Sequence, residues 1–465
     1  MEYLSRNTKS PRCGRALERS RARPERPPKW ILVFSMCILL SGCNFFSVSD
    51  VPSAFDDDIT FGMAIKEIRL EGNNDTRDDI ILAVLASKEG EVYTRETAML
   101  DRKWLVQLGV FTSLFFDTIE EADSVVLIVK MTEVNKYTPA PIIKVTDENG
   151  LSVGASISTP NALGYAAKAS AFFTVGGATN FGVRLKDPWI PGRSWLVGYQ
   201  IDYVHSERTN ELYSFGETSD DLFVQFQRNF TNRIRWGPQA FYVTVKSDST
   251  DITLSPDNRD HIPGFGVFLR FDGRNMPIYP TRGWWTDLNV KKFGLGGVDT
   301  DYWQVNLDVR RYLELGSVYN SLAFYSLTTL SSGEVGVDIP VYMQFNLGGA
   351  NSVRGWDLGS REGKNQFINT LEYWHVLMGY KKWKVWFFKW AMGFQAGVFG
   401  DVGTAWSTNE QFHQNWIGGG GIGFRLILPG SVLFRFDVAA GESGVSLGLF
   451  ISGREKAVAQ RDRVR

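Results

Sequence analysis

The chain is short of cysteine, histidine and long apolar runs, and each shortage removes a class of function. Its three cysteines stand at Cys13, Cys37 and Cys43, so nothing beyond position 43 can form a disulfide or a thiolate metal site. The four histidines, His205, His261, His375 and His413, are scattered singly, without the spacing of a ligand set. A formal net charge of -1 offers no bulk attraction to nucleic acid. After the first fifty residues no apolar run reaches the roughly 18 residues that a membrane helix needs. There is no G-x-S-x-G, no Walker loop and no His–carboxylate–nucleophile cluster. The run "GGGGIGF", Gly418 to Phe424, lacks the lysine and following helix of a phosphate loop and reads as a thinned strand. We therefore expect no enzyme, no cofactor, no metal and no nucleic-acid partner.

What is present is aromatic and glycine-rich: 14% aromatics, with 15 Trp and 46 Gly, at a mean hydropathy of only -0.16. Those numbers leave soluble β and membrane β-barrel as the leading classes. The first residues read as an address. Nine basic residues against three acidic ones precede position 30, followed by the apolar run "WILVFSMCILL", too short to cross a bilayer and suited to the h-region of an export signal. The run ends in "LSGC", which resembles a bacterial lipobox and makes Cys43 the candidate for acylation. Residues 1–43 are then a signal peptide and 44–63 a linker from a lipid tether.

From 64 to 135 the pattern is strand, helix, helix, strand, strand. "IKEIRLEG" is an imperfect alternation ended by "GNND". Arg77 to Ser87 sets Ile81, Val84 and Leu85 on one helical face, and Thr94 can cap a second helix carrying Met99, Trp104 and Leu108. "FTSLFFDTI" and "SVVLIVKMTEV" are β-branched and aromatic, with "EEAD" as the turn between them. From 138 to 452, segments of roughly ten residues alternate apolar and polar: Trp303, Val305, Leu307 and Val309 interleave with Gln304, Asn306, Asp308 and Arg310. A soluble sandwich would also alternate. The export signal, the aromatics near segment ends (Trp189, Trp195, Trp284, Trp285, Tyr302, Trp303, Trp406) and charges such as Arg435 and Asp437 sharing one face of an apolar strand favour a closed barrel. Closure gives every backbone amide a partner in lipid. Residues 453–465 form a polar, basic tail.

Several stretches carry a family resemblance. "LGGANSVRGW", Leu347 to Trp356, resembles the VRG[FYW] loop of the BamA/TamA-type outer-membrane assembly barrel family, and the preceding small domain resembles that family's POTRA module. "LRFDGRNMPIYPTRGWW" resembles its Asp-Arg-Asn, Pro-Thr-x-Gly hairpin, although Gly273 stands before Arg274. "VFGDVGTAW" resembles its F-x-D-x-G strand, carrying Phe399, Asp401 and Gly403. "NTLEYWHVL" resembles the strand leaving the loop, with Glu372 in the acidic place, and "LKDPWIPG" resembles an early D-P-aromatic hairpin. The resemblance implies a mainly β protein: a transmembrane antiparallel barrel of about sixteen strands after one POTRA domain, in the bacterial outer membrane with the POTRA domain in the periplasm.

It also implies that the arginine loop is the sixth on the outer side and folds back into the barrel. Arg354, Gly355 and Trp356 then form a lock with Asp401, supported by Phe399, Gly403 and Glu372. A guanidinium screened from water needs a carboxylate that accepts it in bidentate fashion. The implied function is assembly of other outer-membrane proteins: the POTRA edge captures unfolded clients, which enter at a weak seam between the first and last strands. The alternatives on the same fold are a translocator for a secreted passenger and a pore or surface receptor. Outer-membrane lipids and accessory periplasmic or lipoprotein subunits are the other expected partners. Two features depart from the family pattern: room for one POTRA module where assembly factors usually carry several, and a tail beyond Phe450 where such barrels usually end on an aromatic residue.

Overall fold

The computed structural model describes residues 60–451, apart from 147–148, 188–197, 211, 232, 276–279, 318, 386–387 and 429–431. The export signal, Cys43, most of the linker, the D-P-aromatic turn with Trp189 and Trp195, and the C-terminal tail lie outside the described residues.

A three-stranded sheet and two helices come first: β1 (Ala64–Glu71), α1 (Asp78–Val84), α2 (Arg95–Leu108), β2 (Phe111–Glu121) and β3 (Ser124–Glu133). The central strand is β3, parallel to β1 and antiparallel to β2. That position explains why "SVVLIVKM" is apolar almost throughout: helices cover one of its faces and both neighbours flank it, so Val125 to Val129 are all buried. Thr94 caps α2 through the Thr97 amide, and the Thr97 side chain returns the bond, satisfying helix-end donors that would otherwise be orphaned. The buried face of α2 is Ala98, Asp101, Leu105 and Leu108, whereas Met99 is exposed. A methionine at the edge of the stripe passes for core in a period count, and the buried Asp101 does not. Asp101 accepts from the Ala86 amide, from the Ser87 amide at 3.1 Å and from the Ser87 hydroxyl at 2.5 Å, tying the exit of α1 to α2.

The larger part is one sixteen-stranded antiparallel sheet. Its first half is β4 (Thr138–Thr146), β5 (Gly150–Ala162), β6 (Ala167–Gly176), β7 (Ala178–Lys186), β8 (Gly198–Asn210), β9 (Phe215–Asn229), β10 (Ile234–Ser247) and β11 (Arg259–Asp272). The second is β12 (Gly283–Phe293), β13 (Tyr302–Glu314) and β14 (Asn320–Ser331), then, after a long loop with the two-stranded β15 (Phe345–Leu347) and β16 (Arg361–Gly363), β17 (Asn365–Val385), β18 (Phe388–Trp406), β19 (Ile417–Leu428), β20 (Val432–Gly441) and β21 (Gly444–Ile451). A short helix, α3 (Asn409–Gln414), interrupts the connection from β18 to β19. Neighbours in the sheet are neighbours in sequence, with only the small β15–β16 hairpin left out. The ends β4 and β21 come back to face each other, so the sheet is a barrel; among the described residues no ladder joins them.

Alternation sets the two faces. Along β18, Val398 is 52% exposed while Phe399 and Asp401 are buried; on β20, Phe436 faces out while Arg435 and Asp437 are buried. The outer face is apolar and the inner face polar, the reverse of a soluble protein and the pattern a lipid surround selects. β17 and β18 run 21 and 19 residues, about twice the expected segment, and extend as a hairpin past the ends of β14 and β19.

The small domain is fastened to the barrel at the turn between β5 and β6. Asn161 donates to the Thr76 hydroxyl at 2.8 Å and accepts the Ala166 amide at 2.8 Å. The Arg77 amide donates to the Gly164 carbonyl, and its guanidinium reaches the Tyr165 hydroxyl at 2.8 Å while lying over that ring. Ala166 joins the small domain's apolar core. Leu163 and Ala166 hold φ of 56° and 55°, left-handed values that side chains rarely adopt without such outside support.

Candidate functional site

The loop between β14 and β17 is the sixth connection at the barrel end away from the small domain, and it turns inward. Gly348, Gly349, Gly355 and Gly359 all have positive φ. Gly355 is the constrained one: at φ 90° it passes so close to β20 that a Cβ would lie 2.5 Å from the Ala440 carbonyl carbon. Gly419 of "GGGG" serves the same approach from the other side, because a Cβ there would overlap the Arg354 carbonyl oxygen. The thinning of β19 read from sequence thus has a cause at Gly419, where the loop backbone lies against the strand, whereas Gly421 is crowded by Val438 and Phe399 of the neighbouring strands. Leu347 and Val353 pack with Ile368, Ala405 and Ile417 beneath it, and both touch the place where Gly403 would otherwise carry a side chain.

Arg354 is 1% exposed. Its Nε donates to Asp401 Oδ2 at 2.6 Å and its Nη2 to Oδ1 at 2.9 Å, a bidentate clasp, and its own amide donates to Oδ2 at 3.1 Å. Nη1 donates to Asp437 at 2.8 Å and Nη2 also to Glu372 at 3.1 Å. The guanidinium lies over the Phe399 ring, 3.3 Å from its centroid, a face that stabilises a desolvated cation. Thr370 donates to Asp401 at 2.7 Å, and Trp374 and Arg425 donate to the second oxygen of Glu372 at 2.9 and 2.7 Å. Arg435 pairs with Asp437 at 3.0 Å. Three arginines therefore stand against three carboxylates in one connected, neutral set, buried except for the partly buried Arg425. That is the condition under which buried charges are tolerated.

The rest of the motif reaches the closing strands. The Gly355 amide donates to Ser446 Oγ at 3.1 Å and the Asp357 amide to Ser443 Oγ at 3.2 Å. The Trp356 indole donates to the Gly418 carbonyl at 2.8 Å. The structure thus brings Arg354, Gly355, Trp356, Phe399, Asp401, Gly403 and Glu372 together. Sequence reasoning missed Thr370, Trp374, Arg425 and the two serines, and it flagged Arg435 and Asp437 only as inward charges. The signal for Trp374, Arg425 and Asp437 is faint: each is an inward-phase residue on a strand beside the loop, which is knowable only once strand order is.

The second motif is local. Arg274 clasps Asp272 at 2.9 and 3.0 Å, and Asn275 pairs with Thr281 across the hairpin at 2.9 Å. Among the described residues there is no group that could hold a metal ion, and no helix is long and apolar enough to cross a membrane.

Comparison with known proteins places this architecture. The Omp85 superfamily domain model matches residues 161–443, and the POTRA model, described as a surface antigen variable number repeat, matches residues 63–133. The outer membrane protein assembly factor BamA of Neisseria meningitidis serogroup B is 22% identical over 357 residues, 68% of this chain and 43% of that protein. That of Nitratidesulfovibrio vulgaris is 22% identical over 377 residues, 76% of this chain and 45% of that protein. The chain spans less than half the length of these relatives. Among solved structures, BamA from Haemophilus ducreyi lacking POTRA domains 1–3 is similar with a TM-score of 0.61 at 17% identity, covering 84% of this chain and 83% of that one. CdiB from Acinetobacter baumannii is similar with a TM-score of 0.57 at 13% identity, covering 84% and 74%.

Proposed function

Because this chain belongs to the Omp85 superfamily, as a BamA/TamA-type member, we propose that it assembles or inserts β-barrel clients in the bacterial outer membrane. Its place is that membrane, with the POTRA domain in the periplasm, and it is not an enzyme.

The observation that carries the reading is the seam. β4 and β21 meet without a ladder among the described residues, and β4 contains Pro139 and Pro141. Proline has no N–H and fits a sheet only at an edge, so β4 is built to pair poorly on one side. An unpaired edge in lipid is costly, and a client strand would relieve it. The Arg354 loop holds β21 from inside through Ser446 and the turn before it through Ser443, so its lock fixes the position of the closing strand. On the periplasmic side, the segment at residues 90–93 covers the start of β1, and β2 is the opposite edge of the sheet, with no strand beside it among the described residues and Phe115 59% exposed. An extended client can add to that edge by β-augmentation.

Depletion tests the proposal. Other outer-membrane barrels should fall when the protein is removed and return with wild type but not with Arg354→Ala. If they keep their normal level without it, the assembly reading fails, and passenger secretion or ion conductance becomes the assay.

A further inference from the structure

The inner face of the barrel also carries cations that have no ion-pair partner among the described residues. Near the periplasmic end, Lys168 on β6 stands directly opposite Lys186 on β7, and Arg235 on β10 stands opposite Arg270 on β11. Like charges in such cross-strand positions oppose pairing. All four are in inward phase, because Phe173, Val183, Trp236 and Leu269 expose the outer face of the same strands. The local carboxylates are already engaged: Asp202 with Arg184 at 2.8 Å, Asp287 with Arg270 at 2.6 Å, and Asp272 with Arg274. Asp187, next to Lys186, has a partner of its own. Among the described residues, Lys168, Lys186 and Arg235 have no carboxylate within ion-pair distance, and the Arg235 Nε is buried without a hydrogen bond.

The cations continue into a row of amides. Lys186 is opposite Gln200, Gln200 opposite Gln225, and Gln225 opposite Gln239, so five adjacent strands present Lys168, Lys186, Gln200, Gln225 and Gln239 in one cross-strand row of the inner wall. Gln239 Oε1 is buried and unpartnered. Lysines supply charge for carboxylates, and glutamines supply a donor and an acceptor for peptide groups. At its first end the row adjoins the POTRA domain: Lys168 Nζ is 3.4 Å from where a side chain on Gly109 would begin.

We propose that this row, together with Arg235 four residues from Gln239 along β10, is a binding track for an extended, acidic polypeptide segment entering the barrel from the periplasm. A polypeptide fits better than a lipid because the track lies on the inner face, separated from the bilayer by the sheet. The proposal stands apart from the assembly reading: peptide binding is measured on the purified protein, whatever depletion does to other barrels.

The test is fluorescence anisotropy of a labelled oligoglutamate peptide with the full chain in detergent, beside oligoserine and oligolysine controls. Oligoglutamate should bind alone among the three and weaken as salt rises. The double substitution Lys186→Gln, Arg235→Gln should weaken it by about tenfold or more. Unchanged affinity in the double variant, or equal binding of oligoserine, would overturn the track. So would displacement by inorganic phosphate at an equal number of charges, which would mark a small-anion site instead. Because the substitutions remove like-charge repulsion, thermal stability of the variant should hold or rise; a clear fall would assign the cations a structural role and sink the proposal.

Discussion

Two regions of one inner wall treat charge in opposite ways. Against β17 to β20, three arginines meet three carboxylates and every charge has a partner. Against β6 to β11, like charges face each other across neighbouring strands and three cations lack a counter-ion among the described residues. The backbone is the same antiparallel sheet in both places. The first set is balanced in charge, and although Arg425 Nε and Asp437 Oδ1 keep no hydrogen-bond partner among the described residues, each of its ions already faces an opposite one, so it serves to hold the loop. An unsaturated set is held by the sheet despite its repulsion and keeps its binding capacity free. The contrast separates a fixed part of the barrel from a part open to traffic.

The sharpest way to break the contrast is to unbalance the saturated side. Arg354→Ala leaves Asp401, Glu372 and Asp437 buried with too little positive charge, and losing one member of such a set costs about 3–5 kcal/mol. We expect the folded barrel's heat-modifiable migration to be lost at a lower temperature, with assembly activity reduced. Wild-type behaviour in both would mean that the loop is not held by its arginine.

The partners should rank. Asp401 receives three hydrogen bonds from Arg354 and one from Thr370, whereas Asp437 receives one from Arg354. Asp401→Asn should therefore lower the urea midpoint more than Asp437→Asn; the reverse order would relocate the centre of the lock. Gly355→Ala tests the approach rather than the charge. A side chain at φ 90° against Ala440 should cost about 1–3 kcal/mol and expose the Ser446 contact to hydrogen exchange.

Much of this was legible in the chain. Alternation along Trp303 to Arg310 announced strands with two unlike faces, and "VRGW" with "FGDVG" announced a loop and its carboxylate. What was not legible depends on closure. Asp437 lies 83 residues from Arg354, on a strand that meets the loop only because the sheet curls round, and its inward phase is shared by every polar residue on that strand. Ser443 and Ser446 are ordinary hairpin and strand residues until the loop reaches them. The serial order of the strands also conceals that the turn of β5 to β6 enters the core of another domain. Asn161→Ala removes two hydrogen bonds of that fastening, to Thr76 and from Ala166, while those of Arg77 remain, and at about 1–3 kcal/mol it should raise proteolysis at the junction while leaving the barrel's migration unchanged.

The smallest expected effect lies outside the barrel and asks whether a buried charge without a cation behaves differently from Arg354's partners. Asp101 is fully buried in the POTRA domain, and burial raises its pKa above the ordinary aspartate value even though bonds from Ser87 and Ala86 oppose the shift. The folded domain therefore holds this proton more tightly than the unfolded chain. The stability linked to it is complete below the unfolded pKa, about 3.9, and is lost as pH rises through the folded one. Asp101→Asn cannot ionise, so it should flatten that part of the pH profile at the expense of one acceptor bond. Hydrogen exchange at the Ala86 and Ser87 amides, corrected for intrinsic rates, reads it directly. Protection in wild type should decline with rising pH relative to the variant, and parallel profiles would mean that three donors are enough to hold a carboxylate without a cation.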